Sequence, residues 1–91
     1  MTYERVTYAN GWTLGVHVQQ RLDEMGLTAA RLFEAVLSPT LTYPGHPDKW
    51  GRPREVRVAD DLAVVVTASQ RLAVTVLWHG ATGRDALGQA A

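Results

Sequence analysis

The stretch "TYERVTYANGWTLGV", residues 2–16, decides where the first helix begins and so how the rest of the chain is arranged. Asn10-Gly11, flanked by aromatic and β-branched residues, is a hairpin signal, because that dipeptide accepts the positive φ angles of a tight turn. The competing reading is an extended arm that turns at Asn10-Gly11 into a helix starting near Leu14. The residues from Leu14 to Gly26 favour the arm. Leu14, Val18, Leu22 and Met25 recur at helical spacing as one stripe, and Gly26 stands where a left-handed cap would end that helix. A hairpin strand in this region would overturn the helix-first reading.

A second helix is expected at once. Thr28 suits its N-cap, and Ala29, Leu32, Phe33, Val36 and Leu37 repeat as one buried face. Pro39 stops it by disfavouring helical geometry at Ser38. The spacing thus predicts helices over 16–25 and 28–38, joined at Gly26-Leu27. From residue 40 the period changes to two. "LTY" (41–43) reads as a short strand, and 54–59, 62–68 and 71–79 read as three more. Their links are so brief that consecutive strands must be antiparallel. The expected fold is α+β, an N-terminal helix pair packed on one face of a three- to four-stranded antiparallel sheet. Alternation places Val56, Val58, Leu62, Val64, Val66, Leu72, Val74, Val76 and Trp78 against the helices. Glu55, Arg57, Val65, Thr67, Ala73, Thr75, Leu77 and His79 fall on the other face. That second face is too apolar to be simply solvated, so a partner, a substrate or the tail is expected to cover it. Residues 1–80 are read as one domain and 81–91 as a flexible tail.

Ninety-one residues, 46% apolar and 20% charged, suit one small globular domain. A formal net charge of zero argues against a strong non-specific polyanion binder. There is no cysteine, which removes disulfide and thiolate chemistry and fits a cytoplasmic protein. The apolar runs are too short to span a membrane, and no signal peptide is read. Three scattered histidines with no paired carboxylate predict no metal site, and no cofactor motif is present.

Two groups of residues carry chemistry. His17 and Arg21 are one helical turn apart, at the margin of the buried stripe. The plain structural alternative is a helix-start histidine and an Arg21–Glu24 surface pair. The loop "YPGHPDKWGRPR" (43–54) gathers Tyr43, His46, Lys49, Trp50, Arg52 and Arg54. Cations interleaved with rings suit single-stranded nucleic acid, with charge for phosphates and faces for stacking. The alternative there is a solvated loop whose Trp50 folds back over the core. Strand parity puts Arg54 on the side of Val56 and Val58.

The pattern His17-x3-Arg21-x4-Gly26-Leu27-Thr28, with Ser38-Pro39 and the closing "VTVLW" (74–78), resembles a family of short bacterial and phage domains grouped with small toxins. That family is placed by fold with the RelE-like, colicin-D-like and barnase-like ribonucleases. The resemblance covers roughly residues 15–78. It implies a helix pair followed by an antiparallel sheet, and metal-independent RNA cleavage. Its pattern also places a polar residue at Thr75. His17, Arg21, Arg54 and His46 are then the catalytic candidates, and Tyr43, Lys49, Trp50 and Arg52 the RNA-binding ones. The other reading is a non-catalytic module that docks an antitoxin or host protein through the half-apolar sheet face. A homodimer is a further candidate partnership. Neutral charge favours the binding module, and the His17–Arg21 pair favours the nuclease.

Overall fold

The structure, a computed structural model, describes residues 3–79; the tail expected at 81–91 lies outside them. Within that range the N-terminal segment is a hairpin and not an arm. β1 (Val6–Thr7) pairs antiparallel with β2 (Thr13–Leu14). Three bonds close the turn: Tyr8 N–H to the Trp12 carbonyl at 2.8 Å, Gly11 N–H to the Tyr8 carbonyl at 2.9 Å, and Trp12 N–H to Asn10 Oδ1 at 2.9 Å. Gly11 is left-handed at φ +86°, and a Cβ there would lie 2.9 Å from Arg71 Nη1. Burial holds the hairpin in place. Trp12 is 7% exposed and Leu14 1%, and sinking both i and i+2 requires an extended backbone. Leu14 therefore belongs to a strand face, and the helical stripe begins later, at Val18.

α1 (Val16–Met25) and α2 (Ala29–Leu37) come next. Gly26 ends α1 at φ +70°, with Leu27 N–H reaching back to the Leu22 carbonyl at 2.9 Å. Thr28 Oγ1 accepts from Arg31 N–H at 3.2 Å and starts α2. Then come β3 (Leu41–Pro44), β4 (Glu55–Ala59), β5 (Leu62–Thr67), a 3-10 turn at Ala68–Gln70, and β6 (Leu72–Trp78).

Among the described residues six strands form one sheet, in the order β1-β2-β6-β5-β4-β3. All neighbours are antiparallel except β2 and β6, which run parallel with Thr13 beside Leu72 and Leu14 beside Ala73. This corrects the expected architecture. The helices do not open the chain as a pair on a three- to four-stranded antiparallel sheet; they sit between β2 and β3 on a six-stranded mixed sheet. The cause is the need to pair buried backbone. Once Trp12 and Leu14 sink, their strand must find hydrogen-bond partners, and the edge beside β6 supplies them. Thr13 N–H donates to the Arg71 carbonyl at 2.8 Å.

α1 lies over β6 and α2 over β4 and β5. Leu14, Val18, Leu22, Leu32 and Val36 meet Leu62, Val64, Val66 and Val76 in the core between them. Phe33 is half-buried at its margin, where it meets Tyr8 edge-to-face at 5.0 Å and ties the hairpin to α2.

The face assignment is reversed for β4. Val56 and Val58 lie on the back of the sheet with Ala63 and Val65, and Ala59 packs in the helix-side core. The two-residue turn Asp60-Asp61 pairs Ala59 with Leu62. Since Leu62 faces the helices, so do Ala59 and Arg57, and a slip of one residue is enough to swap a whole strand. Arg57 turns inward: its guanidinium lies 5.3 Å over the Trp12 ring, donates to the Val36 carbonyl at 2.8 Å and pairs with Glu55 at 3.0 Å. β6 is altered by an irregularity of register. Val65 faces Thr75 but Val66 faces Ala73, which leaves Val74 as the extra residue of a bulge. Ala73 therefore joins Val76 in the core, while Val74 does not.

Candidate functional site

The back of the sheet is apolar along its middle and overhung at one end by the loop 45–54. The pairing of β3 with β4 continues into that loop through Gly45 N–H, which donates to the Arg54 carbonyl at 2.9 Å. Asp48 then organises the tip. Its carboxylate accepts the backbone N–H groups of Trp50 and Arg52, each at 2.9 Å, and Arg52 Nε at 2.7 Å. The Asp48 side chain is 5% exposed. Burial pushes its carboxyl up, but the N–H and guanidinium of Arg52, with the Trp50 N–H, outweigh that and hold it below the ordinary carboxylate value. Gly51, at φ +81°, completes the turn. The result is that Trp50 stands out at 70% exposure and does not fold back over the core. Lys49 Nζ lies 4.6 Å and the Arg52 guanidinium 4.9 Å from its ring centre.

Two clefts open on this side. The first, of about 580 Å³, is enclosed by the loop, the start of α1 and the beginning of β6; Arg5, His17, Trp50, Arg52, Arg54 and Gln70 reach it. The second, of about 500 Å³, lies over Val56, Val65 and Leu77, with Tyr43, His46 and Thr75 around it. Arg54 and Val74 line both clefts. Ion pairs of the described residues engage Arg21, Arg31, Arg52 and Arg57. Arg54 enters none of them, and its Nε is buried without a hydrogen-bond partner among the described residues.

His17 reaches the groove because β2 is so short. After pairing with Leu72 and Ala73 the chain turns into α1, so the edge of β6 beyond is open to the first helical turn. There His17 Nε2 lies 3.2 Å from Thr75 Oγ1. This contact joins two residues far apart in sequence and orients the ring, whose Nδ1 has no hydrogen-bond partner among the described residues.

The structure thus brings His17, Trp50, Arg52 and Arg54 to the first cleft and Tyr43, His46 and Thr75 to the second. Arg21 lines neither cleft. It donates from Nε to the Val76 carbonyl at 3.4 Å, covering the open edge of β6, and pairs with Glu24 at 3.3 Å. Lys49 stands over Trp50 and lines neither cleft. Three contributors escaped the sequence reading. Arg5 arrives on the hairpin where the sequence predicts an arm, and Gln70 on the turn before β6. Asp48 carried a legible signal, since Asp48-Lys49-Trp50-Gly51 has the Asp and Gly ends of a common turn.

No family model, curated protein or solved structure matches the chain. Among the described residues, no group of three or more His, Cys, Asp or Glu could hold a metal ion, and no helix is long and apolar enough to cross a membrane. The groove offers cations, imidazoles and aromatic faces, with its one carboxylate, Asp48, committed to Arg52. Such a set suits an anion attached to flat rings.

Proposed function

We propose that this chain is a small, toxin-like, metal-independent endoribonuclease of the cytoplasm, working in the groove on the back of its sheet. Arg54 carries the reading. It borders both clefts and holds a buried guanidinium N–H with no partner among the described residues. An unpaired buried donor costs about 1–3 kcal/mol, and an outward swing of the Arg54 guanidinium onto a phosphate in either cleft would remove that cost through a charge-assisted bond.

With a ribose phosphate on Arg54, His17 stands in the first cleft and His46 in the second. One imidazole takes the 2′-hydroxyl proton as O2′ bonds to phosphorus. The other, protonated, gives its proton to the departing O5′, leaving a 2′,3′-cyclic phosphate and a 5′-hydroxyl. Imidazole suits both steps because it titrates near neutrality. Arg54, with Arg5 and Arg52 in the same cleft, stabilises the charge that builds on the phosphorane oxygens. Thr75 positions the His17 ring, and Trp50 offers a stacking face to a neighbouring base. The His17-x3-Arg21-x4-Gly26 resemblance to small toxins supports the same reading. Arg21 contributes there by holding the β6 edge beside which His17 sits.

A second reading, a non-catalytic module that docks an antitoxin, a host protein or a second copy, is favoured by Leu41, Tyr43 and Leu77, which are exposed on the same sheet face. End-labelled single-stranded RNA of mixed sequence, incubated in EDTA with wild type, His17→Ala and Arg54→Ala, separates the two. The nuclease reading expects cyclic-phosphate ends from the wild type, none from a fully 2′-deoxy control, and a loss of roughly 100-fold or more in each variant at a melting temperature no lower than that of the wild type. Absence of cleavage, or equal cleavage by all three proteins, would leave the binding module.

A further inference from the structure

We infer that the second cleft is a nucleobase pocket, which receives the base of the nucleotide whose phosphate lies on Arg54. This rests on the phosphate site proposed above and extends it from a charge to a substrate class. A cleft of about 500 Å³ falls within the roughly 300–1,000 Å³ typical of small-ligand sites. Val56, Val65, Val74 and Leu77 give it apolar surface, and the rings of Tyr43 and His46 also line it.

The two clefts share Arg54 and Val74 in their linings, so these residues lie between them. A ligand that pairs with the Arg54 guanidinium and also covers the valines of the second cleft must join an anion to a flat, largely apolar group. Single-stranded RNA offers that combination at every residue, and stacking accepts any base through its π-face. Polar selection can then act through the His46 ring and the Thr75 hydroxyl, which line the same cleft. Thr75 also holds His17 at 3.2 Å, so a base seated here touches the residue that positions the imidazole.

The test reads binding by methyl NMR, using 3′-nucleoside monophosphates of the four bases, ribose 5-phosphate, inorganic phosphate and phosphotyrosine as probes. A 3′-monophosphate has no departing 5′-oxygen, so the readout is independent of cleavage. Nucleotides should move the methyls of Val56, Val65, Val74 and Leu77, and should bind at least roughly tenfold tighter than ribose 5-phosphate, the gain expected from stacking one base. Leu77 is 44% exposed, so Leu77→Asn should leave the melting temperature unchanged. It should reduce the nucleotide advantage and not affect inorganic phosphate. Tyr43→Ala should do the same. The inference is overturned if ribose 5-phosphate binds as well as the nucleotides, or if nucleotides bind without moving those methyls. It is also overturned if phosphotyrosine outbinds all four, which would mark the cleft as a site for an aryl phosphate on a protein. RNA cleavage without base-dependent binding removes this inference alone. Base binding without cleavage keeps the pocket and removes the nuclease.

Discussion

Replacing Trp12 by alanine tests the hairpin that reshapes this fold. Trp12 lies 7% exposed in the core, beneath the Arg57 guanidinium. Burying an indole side chain removes about 150–250 Å² from water, which at ~25 cal/mol per Å² amounts to roughly 4–6 kcal/mol. A denatured chain that already hides part of that surface trims the figure by roughly a quarter, to about 3–5 kcal/mol, which is also the usual range for Trp→Ala in a core. Loss of the ring beneath Arg57 adds about 0.5–1 kcal/mol. Set against a total of about 5–15 kcal/mol for a domain, this removes a large share. Each kcal/mol is worth about 4–8 °C at this size, so the melting point should fall by at least roughly 12 °C. Urea unfolding followed by far-ultraviolet circular dichroism is the assay, because deleting a tryptophan disturbs fluorescence. Trp78→Ala is the control: that ring is 54% exposed, and its loss should cost about 1 kcal/mol or less. If Trp12→Ala costs no more than Trp78→Ala, the hairpin is not docked beside β6, and Leu14 is free to join a helix.

Two further predictions concern the loop and the β6 edge. The Asp48 carboxyl titrates below its ordinary value, so the order it lends the loop is fully present above the unfolded value of about 3.9 and is lost as pH falls through the lower folded one. Protection of the Trp50 and Arg52 amides, corrected for intrinsic exchange, should therefore hold from neutrality down to about pH 4 and fall below it. Asp48→Asn should show fast exchange at every pH, and a midpoint above the ordinary carboxylate value would contradict the bonding described. Arg21→Ala loses the Val76 carbonyl and Glu24, both at a partly exposed position, so stability should drop by about 1 kcal/mol or less and RNA cleavage should persist. Abolished cleavage at an unchanged melting temperature would show that Arg21 reaches the substrate.

Local signals decided the helices and most strands. Thr28 and Gly26 act on their own neighbours, and the stripes Val18–Leu22–Met25 and Leu32–Val36 need no distant partner to be read. The same holds for the turn at Asp60-Asp61 and for the gathering of rings and cations in residues 43–54. What sequence alone did not decide was pairing. β1 and β2 have two residues each, too few to show a period of two against the helical stripe beginning at Val18. Only their docking beside β6 makes them strands. Both sheet faces are apolar, with Val56, Val58 and Val65 behind and Leu62, Val64 and Val66 in front, so hydrophobic alternation could not say which face of β4 meets the helices. Cross-strand register said it, through Ala59 and Leu62, and the Val74 bulge then shifted β6 by one residue. His17, Thr75 and Arg54 share a groove for the same reason. Their residue types were readable as chemistry, but their proximity depends on a short β2 that leaves the β6 edge open to α1. Such long-range pairing has no local signature, because its free energy comes from backbone hydrogen bonds and burial between segments distant along the chain.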